Sequence, residues 1–241
     1  MRKVIGIGET ILDIVFKNNQ PTKAVPGGSV FNGLISLGRA GMNTTFISEV
    51  GNDRVGETIL KENGINADHV CVYPESKSPI SLAFLNEKND AEYLFYKDYP
   101  NLRLDVELPD VCSDDIVMFG SFYAISPQLR DKIKELLDKA RSVGAIIYYD
   151  VNFRSTHKND AIKLLPTILE NFEYADIVRG SSEDFDNMFG LTDADKIYKN
   201  KVEFYCSHFI CTNGGENLCL RTRTLTKDYQ PVPMQTISTI G

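Results

Sequence analysis

The strongest constraint on this chain is its alternation of short, fully apolar runs with amphipathic stretches of helical period. Val4-Ile5-Gly6-Ile7, Thr45-Phe46-Ile47, Ile116-Val117-Met118-Phe119, Ala145-Ile146-Ile147-Tyr148-Tyr149 and Phe209-Ile210-Cys211 read as buried strands. Between them lie helices. One starts at Ser126-Pro127, an N-cap followed by proline in the first turn, and places Leu129, Ile133, Leu136, Leu137 and Ala140 on one face. A second runs from about Ser29 to Ala40 with Val30, Phe31, Leu34 and Leu37 inward, and a third covers Val55 to Asn63. Strand–helix–strand repetition implies a mostly parallel sheet with helices on both faces. Two stretches break the rhythm. Residues 10–26 hold the strand-like Ile11–Phe16, and residues 71–98 hold Ile80–Leu85 and Tyr93–Tyr96 around a polar loop, Asn86–Asp90. The second pair reads as a β-hairpin, and a small sheet beside an α/β core predicts a lid.

Bulk properties exclude several classes. The 241 residues, 42% of them hydrophobic, suffice for one large core. A net charge of −7 gives no electrostatic reason to hold nucleic acid or an anionic membrane. No apolar run approaches the roughly 20 residues of a membrane span, and the opening Met1–Gly6 reads as a first strand rather than a signal peptide. Cys71, Cys112, Cys206, Cys211 and Cys219 are odd in number and scattered, so they read as small hydrophobes in a reducing cytosol. His69, His157 and His208 form no metal-ligand spacing. The expected location is cytoplasmic.

Candidate sites cluster where strands end. Gly6-Ile7-Gly8 begins like a dinucleotide fingerprint, but Ile11 stands at the third glycine position and a strand follows, so the fingerprint fails and argues against a nicotinamide-dependent oxidoreductase. Asp13 within an apolar strand reads first as a charge that blocks edge pairing, and second as an acceptor for sugar hydroxyls. Gly27-Gly28 precedes a helix whose first turn carries Asn32, offering free N–H donors and an amide to a polyol, or simply a turn and a cap. Gly51–Gly56 reads as mainly structural, with Asn52 or Asp53 capping a helix. Asp150-Val151-Asn152-Phe153-Arg154 stands at the carboxyl end of a strand, where open sheets bind ligands, and Arg154 suits a phosphate or carboxylate; ordinary turn chemistry explains it equally. Arg179–Asp184 reads as helix capping, or as acids holding a magnesium water shell. Thr212-Asn213-Gly214-Gly215 lines a phosphate or ribose, or turns a hairpin.

Their order along the chain resembles the ribokinase-like (PfkB) carbohydrate kinases throughout. Gly8-Glu9 with Asp13 is similar to the family's opening sugar-binding strand, Gly27-Gly28-x-x-x-Asn32 to its sugar motif, and Gly38–Gly56 to its first signature. Asp150-x-Asn152-x-Arg154 resembles the form in fructokinases and ketodeoxygluconate kinases, and Thr212-x-Gly214 the nucleotide turn. The family's Asn-x-x-Glu magnesium motif appears changed, with Ser181 at the asparagine place and Glu183 or Asp184 at the acid's. Ser238-Thr239-Ile240-Gly241 is similar to the first half of the second signature, which normally continues Ala-Gly-Asp.

The resemblance implies a ribokinase-like three-layer α/β fold, a mostly parallel sheet flanked by helices with a small β-sheet lid, as one domain incomplete at its C-terminus. It implies ATP-dependent phosphorylation of a sugar hydroxyl, a ketohexose such as fructose first, with ribose, ketodeoxygluconate, adenosine or a phosphosugar as alternatives. A non-catalytic sugar-binding protein on the same scaffold is the rival from another class. The partner is a small-molecule sugar, and the ligands are ATP, Mg2+ and, as a further candidate, a monovalent cation. Asp13, Gly27, Gly28, Asn32, Asn152 and Arg154 are expected at the sugar, with Phe95 or Tyr96 closing over it. Ser181, Thr212 and Gly214 are expected at the nucleotide, and Glu183 or Asp184 near magnesium through water. Gly241 opens the anion hole, and the aspartate base is expected just after it, so the chain ending there is expected to turn over negligibly. Family lids often pair two subunits, which adds a homodimer through the lid to the expectations.

Overall fold

The computed structural model describes residues 2–61, 66–87 and 91–232. They divide into two compact units, residues up to Asp110 and residues from Val111 on.

The first unit runs β1 (Lys3–Ile7), β2 (Ile11–Lys17), β3 (Gln20–Gly27), α1 (Ser29–Arg39), β4 (Asn43–Gly51), α2 (Arg54–Lys61), β5 (Asn66–Tyr73), β6 (Lys77–Leu85) and β7 (Ala91–Asp98). Strands β1, β4 and β5 pair parallel in that order. Val4, Ile5, Ile7, Phe46, Ile47 and Val50 are all buried, the continuous apolar signature of a sheet covered on both faces. Helix α1 buries Val30, Phe31, Leu34 and Ile35, with the Phe31 and Phe46 rings 5.4 Å apart. Leu37, expected inward, is only half-buried; the stripe passes through Ile35 instead, one residue round the helix.

Strands β3, β2, β6 and β7 form a separate small sheet in that order. β2 runs antiparallel to β3 and parallel to β6, and the expected hairpin is β6–β7. Asp13, Val15, Ser81 and Ala83 make its buried face, against which α2 packs with Ile59 fully buried. The opposite face shows Ile14, Phe16, Ile80, Leu82 and Phe84 half-buried, with Leu94 and Tyr96 exposed.

The second unit runs β8 (Ile116–Gly120), α3 (Arg130–Val143), β9 (Ile146–Asp150), α4 (Ala161–Tyr174), β10 (Ile177–Ser181), α5 (Ser182–Phe189), α6 (Ala194–Ile197), β11 (His208–Asn213), β12 (Asn217–Thr222) and β13 (Thr226–Tyr229). Strands β8 to β11 are parallel and adjacent in chain order; β12 and β13 extend the edge antiparallel. The expected face of α3 is buried at Leu129, Ile133, Leu136, Leu137 and Ala140. Its start differs from the expectation. Pro127–Leu129 form a 3₁₀ turn, the Ser126 hydroxyl donates to Gln128, and the α-helix begins at Arg130. Gly144, in the left-handed conformation at φ 75°, ends α3 by donating to the carbonyls of Ala140 and Arg141. Buried Arg221 of β12 ties the exposed strand β13 and helix α6 together through Asp228 and Asp195, each at 2.6 Å. All five cysteines are free thiols: three are buried as expected, Cys71 is half-buried and Cys112 is exposed. Among the described residues no helix is long and apolar enough to cross a membrane.

Candidate active-site residues in the two units

In the first unit, the turns after β1 and β3 converge. The Gly8 N–H donates to the Ile47 carbonyl at 3.2 Å and the Ser48 hydroxyl to the Gly8 carbonyl at 2.7 Å, which fixes the end of β1 against β4. Gly28 sits at φ 127°, and a side chain there would begin 2.3 Å from the Glu9 carbonyl oxygen. A Cβ on Gly27 would fall 2.3 Å from Asp13 Oδ2. The paired glycines are therefore required by close approach, and they bring the Asp13 carboxylate onto the backbone that leads into α1. Ser81 donates to the other Asp13 oxygen, and Thr10 donates to the Gly27 carbonyl at 3.1 Å. Asn32 lies in the first turn of α1, its N–H bonded to the Gly28 carbonyl at 2.9 Å. Its half-buried side-chain amide has no hydrogen-bond partner among the described residues.

Register separates the two lid aromatics. Asp13 pairs with Ser81 and Ser81 with Phe95, so these three share one row and one face. Tyr96 pairs with Ile80 in the next row, on the opposite face. Phe95 and Tyr96 are both exposed, and only Phe95 stands on the Asp13 side.

Sequence reasoning did not anticipate the charge network beside this region. Lys97 lies 2.7 Å from Glu9, and Tyr99 donates to Glu9 at 2.6 Å. The Arg103 guanidinium lies 3.6 Å from the centre of the Tyr99 ring and bonds to Glu49 through Nε at 2.9 Å and through Nη2. Glu49 also accepts from Tyr73 at 2.7 Å and from the Leu104 N–H at 3.1 Å. Burial, followed by the neighbouring carboxylates, raises the phenol pKa of both Tyr73 and Tyr99. The one advance signal was a glutamate inside the apolar run Phe46–Val50.

Residues Gly51–Gly56 are structural, as expected, with Asp53 as the cap. It accepts from the Gly56 N–H at 2.9 Å and from the Ser78 N–H and hydroxyl at 2.9 and 2.8 Å. Burial pushes its carboxyl up, but these bonds outweigh it and hold the pKa below the ordinary value.

In the second unit, the carboxyl ends of β9, β10 and β11 carry the polar groups. Asp150 closes β9; Asn152 follows at φ 39°, an unusual backbone state that asparagine tolerates. Arg154 is exposed, and its guanidinium has no partner among the described residues. Arg179 of β10 donates to Asp150 at 3.0 and 3.3 Å and to the Thr212 hydroxyl at 2.9 Å. Ser181 caps α5 in a reciprocal box: the Asp184 N–H donates to its hydroxyl at 3.1 Å, and its own N–H donates to Asp184 at 2.7 Å. Asp184 is buried, and burial raises its pKa. Glu183, beside it in the first turn, is exposed. Thr212 ends in a hairpin turn where Gly214 sits at φ 53° with open space around the position of a Cβ. Gly241 lies outside the described residues. No cluster of three or more His, Cys, Asp or Glu side chains suited to a metal occurs among the described residues.

Comparison with known proteins sets these residues in context. A probable chloroplastic fructokinase of Arabidopsis thaliana is 24% identical over 99% of this chain and 66% of its own length. A 5-dehydro-2-deoxygluconokinase of Geobacillus thermodenitrificans is 30% identical over 82% of this chain and 62% of its own length. The chain thus spans about two thirds or less of these relatives. The Vibrio cholerae fructokinase solved with fructose, ADP and calcium matches with a TM-score of 0.85 at 18% identity, over 99% of this chain and 79% of that one. The Salmonella enterica aminoimidazole riboside kinase matches with a TM-score of 0.83 at 20% identity, over 99% and 80%. The fold is ribokinase-like, with a mostly parallel sheet, flanking helices and a small second sheet. The model of the pfkB family carbohydrate kinases matches residues 1–241, and the chain belongs to that family.

Proposed function

We propose that the protein phosphorylates a sugar hydroxyl from ATP and that its substrate is a ketohexose, fructose first. The observation that carries the reading is the family match over the whole chain, joined to unpartnered polar groups at the expected positions: the amide of Asn32 and the guanidinium of Arg154. Fructokinases among the relatives and the Asp150-x-Asn152-x-Arg154 form favour fructose.

In this reading Asp13 accepts from sugar hydroxyls. Ser81 and the Gly27 backbone hold its carboxylate in one rotamer, so ordering it costs little at the moment of binding. Asn32 gives and accepts one hydrogen bond each, and Phe95 covers the sugar from the Asp13 side of the lid sheet, which excludes water. Asn152 and Arg154 are the second unit's candidates for sugar hydroxyls, by their match to the family's Asp-x-Asn-x-Arg form. Thr212 and the open turn at Gly214 receive the nucleotide, where a side chain at position 214 would obstruct close approach. Ser181 supports this edge by capping α5.

Magnesium, when bound, neutralises phosphate charge. Exposed Glu183 is the candidate to hold its water shell, whereas one oxygen of Asp184 is already engaged by the Ser181 N–H. One available carboxylate fits outer-sphere binding through water and not a direct cage.

A second copy covering the other lid face accords with its central rows, Ile14–Leu82–Leu94 and Leu12–Ile80–Tyr96, which carry no charge. Sedimentation of the protein and of Leu82→Glu tests that assembly. The test of function is ADP release from MgATP with fructose, ribose, ketodeoxygluconate and nucleosides, with and without K+. Turnover of fructose above the others is expected, and no turnover with any of them refutes the proposal.

A further inference from the structure

We infer that Arg179 is a positioning residue that sets the Asp150–Arg154 loop and the Thr212 turn together, so that one guanidinium orders both substrate-binding edges of the second unit. This rests on the kinase reading above. Arg179 stands on β10, the strand between β9 and β11. Its Nη1 reaches both oxygens of Asp150, the last residue of β9, at 3.0 and 3.3 Å. Its carbonyl accepts from the Val151 N–H at 2.8 Å, so the start of the loop bearing Asn152 and Arg154 is held by side chain and backbone of one residue. Its Nη2 donates to Thr212 Oγ1 at 2.9 Å.

That last bond has a directional consequence. The threonine oxygen is engaged as an acceptor, and its own proton has no acceptor among the described residues. The hydroxyl is left as a donor aimed away from Arg179, which is the polarity a phosphate or ribose oxygen requires. Both terminal nitrogens of the fork bond protein groups, which gives Arg179 a route to act through its neighbours as a positioning residue. A lysine offers one compact ammonium and cannot span Asp150 and Thr212 with the same fixed geometry. The guanidinium also stands near two carboxylates, those of Asp150 and buried Asp184, whose mutual repulsion it offsets.

The test uses the full-length protein with MgATP and the sugar it turns over. Arg179→Ala is expected to raise KM for both substrates roughly tenfold, the scale of a lost charge-assisted hydrogen bond. Thr212→Val is expected to raise KM for ATP alone. Arg179→Ala/Thr212→Val is expected to match Arg179→Ala in KM for ATP, because the two changes remove one interaction. Arg179→Lys is expected to restore KM for the sugar, through Asp150, but not for ATP. A purely structural role would instead shift melting temperature and lower kcat without that split. Unchanged KM values in Arg179→Ala, or effects of Arg179→Ala and Thr212→Val that add in the double variant, overturn the inference. If the unmodified protein turns over no sugar, the kinase reading falls, and the coupling is then read from ADP affinity in the same four proteins. Additive losses there overturn it independently.

Discussion

Arg103→Met tests the buried charge network of the first unit. The Arg103 and Glu49 side chains are 11% and 0% exposed, so both charges have been taken out of water. Methionine keeps the stem of the arginine and removes its charge. Glu49 then retains neutral donors, the Tyr73 hydroxyl and the Leu104 N–H, in a site closed to solvent. Breaking a buried pair from one side costs about 3–5 kcal/mol because the remaining charge is uncompensated. Against a typical domain stability of about 5–15 kcal/mol, that is a large fraction. At roughly 2–4 °C per kcal/mol for a chain of this size, melting falls by about 6–20 °C. Glu49→Met/Arg103→Met removes both charges and leaves the Tyr73 hydroxyl proton seeking an acceptor, while the Leu104 N–H keeps the Tyr73 oxygen at 2.6 Å. Its cost is therefore expected to be less than the sum of the two single changes. The chain has no tryptophan, so urea unfolding is followed by far-UV circular dichroism and tyrosine fluorescence. A cost for Arg103→Met below about 1 kcal/mol is what an exposed pair gives. That result, or strict additivity in the double variant, refutes the reasoning.

Other expectations concern single positions. Gly27→Ala places a methyl against Asp13 Oδ2 while Ser81 holds the other carboxylate oxygen, so sugar KM rises roughly tenfold with a smaller loss of melting temperature; an unchanged KM removes Asp13 from the sugar site. Arg154→Ala leaves thermal stability within roughly 0.5 kcal/mol of the parent because the guanidinium has no partner, while sugar KM rises; equal loss of stability and affinity argues for a packing role. Acid titration of stability tests Asp53 and Glu170, whose folded pKa values lie below the ordinary 3.8 and 4.5. For Glu170 burial opposes the shift, and Lys134 and Arg130 outweigh it. Depressed carboxyls stabilise fully above those ordinary values and lose that contribution as pH falls through the folded ones. Asp53→Asn and Glu170→Gln should each flatten the acid limb below about pH 4.5 and leave its shape near neutrality unchanged.

What could be read from the sequence divides by the range of the physics involved. Strands buried on both faces announce themselves locally, because every residue must be apolar; β1, β8 and β9 were therefore legible. So were the face of α3 and a cap at Asn52 or Asp53, which depend on neighbours within one or two turns; the structure gives the cap to Asp53. Strand β13 was not, since Thr226–Tyr229 is exposed throughout and is held through Arg221. Nor was the Glu49–Arg103 pair, whose members lie 54 residues apart. Arg179 fell inside a segment read as helix capping or as acids holding a magnesium water shell, and its contacts depend on Asp150, 29 residues before it, and Thr212, 33 residues after.

The lid aromatics show the limit most sharply. Phe95 and Tyr96 are adjacent, both aromatic and both exposed, so composition assigns them alike and period says only that they face opposite ways. Successive strand residues point to opposite faces, and a register slip of one residue would exchange their roles. The observed pairing of Ser81 with both Asp13 and Phe95 settles which aromatic shares the carboxylate's face. The kinetic consequence is an asymmetry between neighbours. Phe95→Ala should raise sugar KM, whereas Tyr96→Ala should leave KM near the parent value and alter self-association if the second copy covers that face. Equal effects on KM from both changes would mean that the lid acts through its edge and not through one face.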